Sequence, residues 1–260
     1  MAKKKKIVKK RKIKKSRLII IVFLLLIFVF LLSFLFKLLF VSNAGERNSK
    51  ENDVKENQSK KVELEHLSLD NESSDHKFKV LIDPGHGGSD IGTKGVEGVL
   101  EKDICLSIGK KVAGVLSQYD DLEVILTRSE DTYVSVEDRI KMANSQNVDA
   151  VISIEANAQS GRNDAYGIET YYQQNGVVDS EKLAKSIQGT ICLYLNTRDR
   201  GTYPSNLEIL KKTDMPSALV EVGFITNEKE TKKLKTESYQ NKMAEGIAQG
   251  ILRYIDSKNK

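Results

Sequence analysis

A chain of 260 residues has room for one or two domains. Its formal net charge of +5 averages two opposite regions: residues 1–17 hold 11 Lys and Arg and no acid, leaving 30 basic against 36 acidic residues, a net of −6. Nucleic-acid binding puts positive charge on the folded domain, so a charge confined to a tail argues against it.

After the basic tail, Leu18–Phe36 is uncharged, with Ser33 its only polar residue. Nineteen residues in a helix span about 28 Å, enough for the hydrocarbon core of a bilayer. Signal-peptide apolar regions are shorter and end at a small-residue cleavage site, of which Val41-Ser42-Asn43-Ala44 is a poor version. An uncleaved signal-anchor over 18–42 is therefore expected, with the 1–17 tail in the cytoplasm and the rest outside. The expected location is a cell membrane, crossed once. Residues 43–77 are rich in Asn, Ser, Lys, Glu and Asp, a composition that cannot bury a core and reads as a tether.

The folded domain is expected over 78–257. A strand at 79–83 is followed by a helix over 102–118 that carries Ile104, Ile108, Val112, Val115 and Leu116 on one face. Strands are expected at 123–128, 150–154, 167–173, 206–210 and 218–225. Helices are expected from Ser135 to Asn144, from Asp179 or Ser180 through Leu195, and from Ser238 to Ile255. Six strands interleaved with helices imply an α/β domain: a twisted, mostly parallel sheet with helices on both faces. Cys105 and Cys192 lie in apolar stretches of two helices and read as buried free thiols. With no Cys-x-x-Cys, a thiolate metal site is excluded.

In such sheets ligands collect at the carboxyl ends of strands. The stretch Val80–Asp90, VLIDPGHGGSD, ends an apolar strand in a Pro- and Gly-rich turn that presents His86. Glu155 follows the strand VISI, and Glu101 opens the first helix. Glu221 sits inside the apolar run ALVEVGFI, where a carboxylate is costly unless paired or coordinating. The glycines form neither G-x-G-x-x-G nor a GK[ST] ending, so a nucleotide is not expected.

Five segments in order, IDPGHGGSDIG, EKDICLSI, TRSEDTYVSVEDRIKMAN, VISIEANA and MPSALVEVGFITNEKE, carry a family likeness over about Lys79 to Ile255. The chain resembles the zinc-dependent N-acetylmuramoyl-L-alanine amidases of bacterial cell-wall turnover. The resemblance implies His86 and Glu101 as zinc ligands and Glu221 as the catalytic carboxylate. At the third ligand position the family has His, and this chain has Glu155. His86 is the only histidine of the domain, so no imidazole substitutes. Carboxylates bind zinc at about 2.0–2.2 Å and also suit harder ions such as Mn²⁺. Three outcomes stand: an active enzyme with altered metal use, a feeble one that binds metal, and a metal-free pseudo-amidase that binds or regulates the wall. Peptidoglycan is the implied substrate, the membrane a partner through the N-terminal helix, and a protein activator stays open. Arg128 and Arg139 match family positions and equally suit structural ion pairs.

Overall fold

The computed structural model describes residues 77–161, 163–174 and 179–258. The expected tail, anchor and nearly all of the tether lie outside them. Among the described residues no helix is long and apolar enough to cross a membrane.

Six strands form one sheet: β1 (Phe78–Pro84), β2 (Leu122–Leu126), β3 (Ala150–Asn157), β4 (Ile168–Gln173), β5 (Asp199–Ser205) and β6 (Ser217–Phe224), in the order β2-β1-β3-β6-β4-β5. All neighbours are parallel except β4 and β6. The helices are α1 (Glu101–Leu116), α2 (Val136–Ser145), α3 (Ser180–Leu195), α4 (Glu208–Lys211), α5 (Glu228–Leu234) and α6 (Glu237–Lys258).

Alternation along each strand divides the sheet into two faces. Val80, Ile82, Ile152, Ile154, Val220 and Val222 form one core with Ile108 and Val112 of α1, Leu183 and Ile187 of α3, and Ile247 and Ile251 of α6. On the opposite face Leu81 and Val151 pack with Ala143 of α2, and Leu219 packs with Ile140 of α2 and Ile209 and Leu210 of α4. Most of these side chains are fully buried, each contributing about 1.5–3 kcal/mol. Among the described residues the second face carries two short helices, α2 and α4, and a hollow lies beside them.

The expected strand at 206–210 is corrected. The chain is extended over Asp199–Ser205, and Glu208–Lys211 forms one helical turn. Ile209 and Leu210, adjacent in sequence, are both buried on the same face, which a strand's alternation forbids. The polar helix α5 was not expected; Asn227 caps it by accepting from the N–H groups of Lys229 and Glu230. The Ser135 cap is present, its hydroxyl accepting from Asp138 N at 3.1 Å. Cys105 and Cys192 are free, the first buried and the second half-buried.

Candidate active site

β1, β3 and β6 all end at one edge of the sheet. Because β4 is antiparallel to β6 and β5 follows β4, the starts of β4 and β5 reach that same edge. The polar residues converge there.

The loop after β1 places His86 in the left-handed region, φ 57°, where a non-glycine residue needs outside support. Two buried arginines supply it. Arg139 donates to Pro84 O at 2.7 Å and His86 O at 2.6 Å, and pairs with buried Asp83 at 2.5 Å. Arg128 donates to Pro84 O, Gly85 O and Lys102 O at 3.0, 2.7 and 2.8 Å. Asp83 is further held by the hydroxyls of Thr127 and Ser153. Both arginines therefore shape the loop from buried positions.

His86 Nε2 lies 3.4 Å from Glu101 Oε2 and 3.2 Å from Glu155 Oε2. On its other side Nδ1 lies 2.9 Å from Asp90 Oδ2, and the other Asp90 oxygen accepts from Gly92 N. Asp90 thereby orients the ring and leaves Nε2 facing the carboxylates. Glu101 is fixed by Thr93 N at 2.7 Å and Ala156 N at 2.9 Å, one to each oxygen. Glu155 leans over Gly85, where a Cβ would run into its carboxylate.

Glu221 is the direct register partner of Glu155 across β3 and β6. Its Oε2 is buried and has no hydrogen-bond partner among the described residues. On its far side Glu221 registers with Glu169 of β4, which sequence reasoning missed. Glu169 accepts from Asn157 Nδ2 at 2.5 Å, Tyr171 Oη at 3.0 Å and Arg200 Nε at 2.7 Å. Asp90 was missed as well, although an Asp four residues beyond His86 was a visible signal.

Charge follows from this crowding. Hydrogen bonds to Glu101 and then Glu155 raise His86 to about 11, so without a metal the imidazole keeps a proton between two carboxylates. Burial pushes Glu101 up, but the donors His86, Thr93 and Ala156 outweigh it and hold the group below its ordinary value. Burial raises Glu155 despite His86. Glu221 is raised furthest, by burial and then by the charges of Glu155, Glu101 and Glu169. A raised, partnerless carboxylate beside a candidate metal site suits proton transfer.

One ligand atom each from His86, Glu101 and Glu155 lies within 4.8 Å of the others. Tetrahedral zinc with bonds of about 2.1 Å needs ligand atoms about 3.4 Å apart, close to the two His–Glu separations. The donor set of one nitrogen and two carboxylates fits a single divalent ion. A hollow of about 300 Å³ opens beside it, with Ser153, Glu155 and Leu219 on one side and Tyr133, Val136, Leu207 and Ile209 on the other.

Residues 80–253 match the family described as N-acetylmuramoyl-L-alanine amidase. The chain belongs to that amidase family. It is 39% identical over 178 residues to the uncharacterized protein YqiI of Bacillus subtilis, covering 68% of this chain and 84% of YqiI. It is 40% identical over 176 residues to the N-acetylmuramoyl-L-alanine amidase LytC of Bacillus subtilis, covering 67% of this chain but only 35% of LytC. Among solved structures, the N-acetylmuramoyl-L-alanine amidase of Clostridium difficile 630 superposes with a TM-score of 0.69 at 44% identity, over 70% of this chain and 99% of that one. The six-stranded sheet with its helices matches the fold of these amidase structures. His86, Glu101 and Glu155 come together at one edge of the sheet, and Glu221 stands beside them in register.

Proposed function

We propose that the chain hydrolyses peptidoglycan at the amide between N-acetylmuramic acid and L-alanine, with a divalent ion held by His86, Glu101 and Glu155. The observation that carries this reading is the convergence of those three ligand atoms next to Glu221, whose buried Oε2 has no partner among the described residues. A bound zinc or manganese ion supplies a Lewis acid that acidifies water and polarises the scissile carbonyl. Glu221 takes a proton from the attacking water on its free Oε2 and passes it to the leaving amine, acting as base and then as acid. Asp90 keeps Nδ1 of His86 engaged, so Nε2 faces the ion. Arg128 and Arg139 hold the carbonyls of the 84–86 loop and keep the imidazole in place. The apolar run 18–36 supports a single-pass anchor with the amidase domain outside the cell, reaching the wall on the 43–77 tether.

A second reading rests on one feature of the same site. A protonated His86 between Glu101 and Glu155 is already a closed ionic cluster, so a metal-free chain that binds the wall without cutting it is the competing function. The full-length chain, stripped with chelator and assayed on peptidoglycan with Zn²⁺ or Mn²⁺ restored, separates the two. Metal-dependent release of new L-alanine amino termini, lost in Glu221→Ala, supports the hydrolase. No release, together with background metal by elemental analysis, selects the binding protein.

A further inference from the structure

Three carboxylates stand in one row along the active-site edge: Glu155 on β3, Glu221 on β6 and Glu169 on β4, each in register with the next. Like charges directly opposite one another are destabilising, so the row has to end on something. It ends on Arg200, which reaches over from β5. Its Nε donates to Glu169 Oε2 at 2.7 Å, and its guanidinium lies over the Phe224 ring, 4.7 Å from the centroid.

A structural Arg–carboxylate pair is frequently bidentate, two parallel N–H bonds on one carboxylate. Here it is not. Glu169 Oε1 is taken by Asn157 and Tyr171, so the fork cannot close. The two Nη groups of Arg200 make no hydrogen bond among the described residues, and its side chain stays 27% exposed. Of the other cations near the edge, Arg128 and Arg139 are committed to loop carbonyls and Asp83, Lys102 to Gly88 O and Asp131, and Arg198 stacks on the Tyr166 ring. An acidic ligand entering this cleft meets carboxylates at Asp90, Glu101, Glu155 and Glu221, and finds spare cationic donors at Arg200.

We propose that Arg200 binds a free carboxylate of the peptide part of the substrate and so selects acidic over amidated stem peptides. This deepens, and rests on, the reading of the edge as a muramoyl-peptide site. Neighbouring strands are about 4.8 Å apart, so Arg200 lies roughly 5–10 Å along the row from Glu221. Extended peptide covers about 3.3–3.6 Å per residue. That distance places the recognised carboxylate one or two residues beyond the L-alanine. Glu169 acts as the positioning residue, with Tyr171 and Asn157 holding it against Arg200.

The test measures binding to the full-length chain by calorimetry, in the Glu221→Gln background so that hydrolysis does not interfere. The probes are N-acetylmuramoyl-L-alanyl-D-glutamate with its γ-carboxyl blocked as the methylamide, leaving the α-carboxylate free, and the same compound with the α-carboxylate amidated as well. The acid form is expected to bind about 10-fold tighter or more, the scale of a charge-assisted hydrogen bond. Arg200→Gln should bring the acid form down to the level of the amide and leave the amide unchanged. Arg200→Lys should restore part of the difference, and Arg198→Gln, which removes an exposed arginine stacked on Tyr166, should alter neither. Equal affinity for the two probes, no binding of either, or equal weakening of both by Arg200→Gln would overturn the proposal. A native chain that binds with this preference but releases no L-alanine termini would instead sink the hydrolase reading alone.

Discussion

Glu155 and Glu221 occupy directly opposed positions on the parallel strands β3 and β6, side chains on one face. Burial raises both carboxylates, and the charge of Glu155 raises Glu221 further. Glu221 has the weaker compensation, since His86 faces Glu155 while Glu221 Oε2 has no partner among the described residues. Between the ordinary carboxylate pKa and its own raised value, the folded chain binds more protons at Glu221 than the unfolded chain does. Stability therefore falls as pH rises through that window. Glu221→Gln should raise the melting midpoint at pH 8 and leave it nearly unchanged near pH 4. The same substitution should cut release of L-alanine termini by about 10²–10⁴-fold, the scale of a lost general base. Thermal melts at the two pH values, beside the hydrolysis assay, check both halves. A midpoint lowered at pH 8 would show that Glu221 is paired in solution.

Glu155→His tests the position where the chain departs from its family. Two anionic ligands bring a dication to near-neutral charge, whereas one leaves about +1 and acidifies bound water more strongly. The substitution should shift preference from manganese towards zinc and raise zinc-dependent hydrolysis at neutral pH. It also removes one of the three carboxylates that raise His86. In the metal-free variant the His86 pKa should drop from about 11, read from its ring proton shifts by NMR. Unchanged metal preference would mean that Glu155 is not a ligand.

Gly85 has no room for a side chain, because a Cβ there would enter the space of the Glu155 carboxylate. Gly85→Ala should push Glu155 away from His86 and lower metal affinity while the sheet persists. Gly114 is the matched control: a Cβ there meets nothing within 4 Å, in the exposed face of α1. Gly114→Ala should stabilise by about 0.5–1 kcal/mol through helix propensity alone. Metal titration and urea denaturation of the two variants separate the effects. Equal metal affinity in Gly85→Ala and the parent chain would mean that Glu155 has another place to go.

His86, Glu101 and Glu221 were legible because each broke a local rule: a histidine among glycines, an acid opening an apolar helix, a carboxylate within a buried strand. The β-α alternation and the Ser135 cap were equally plain. β5 was not, since DRGTYPS contains Gly201 and Pro204 and has little apolar content; it is an edge strand, where proline is tolerated. Asn227 with Glu230 three residues later was a capping signal for α5 that a polar sequence obscured. Glu169 and Arg200 were out of reach for a deeper reason. They arrive at the site only because β4 runs antiparallel to β6, and the direction of a strand is not written in its own residues.

The proton on His86 makes the last prediction. With its pKa near 11 the metal-free imidazole is charged at neutral pH, whereas a ligating imidazole is neutral. Each ion bound must therefore expel close to one proton, and affinity should rise about tenfold per pH unit below pH 11. Calorimetry in buffers of different ionisation heat, between pH 6 and 8.5, reads that proton directly. The stability linkage has a definite sign too. A raised histidine pKa stabilises the fold fully below its unfolded value of 6.5, and that contribution is lost as pH climbs through about 11. The metal-free chain should thus melt lower at pH 9.5 than at pH 6. Loading metal should abolish the part due to His86, because the ion then takes the proton's place between Glu101 and Glu155. The Glu221→Gln variant, lacking the parallel alkaline loss at that position, isolates the His86 part. Binding heats independent of the buffer would show that His86 carries no proton in the metal-free chain, and the ionic cluster at this site would have to be redrawn.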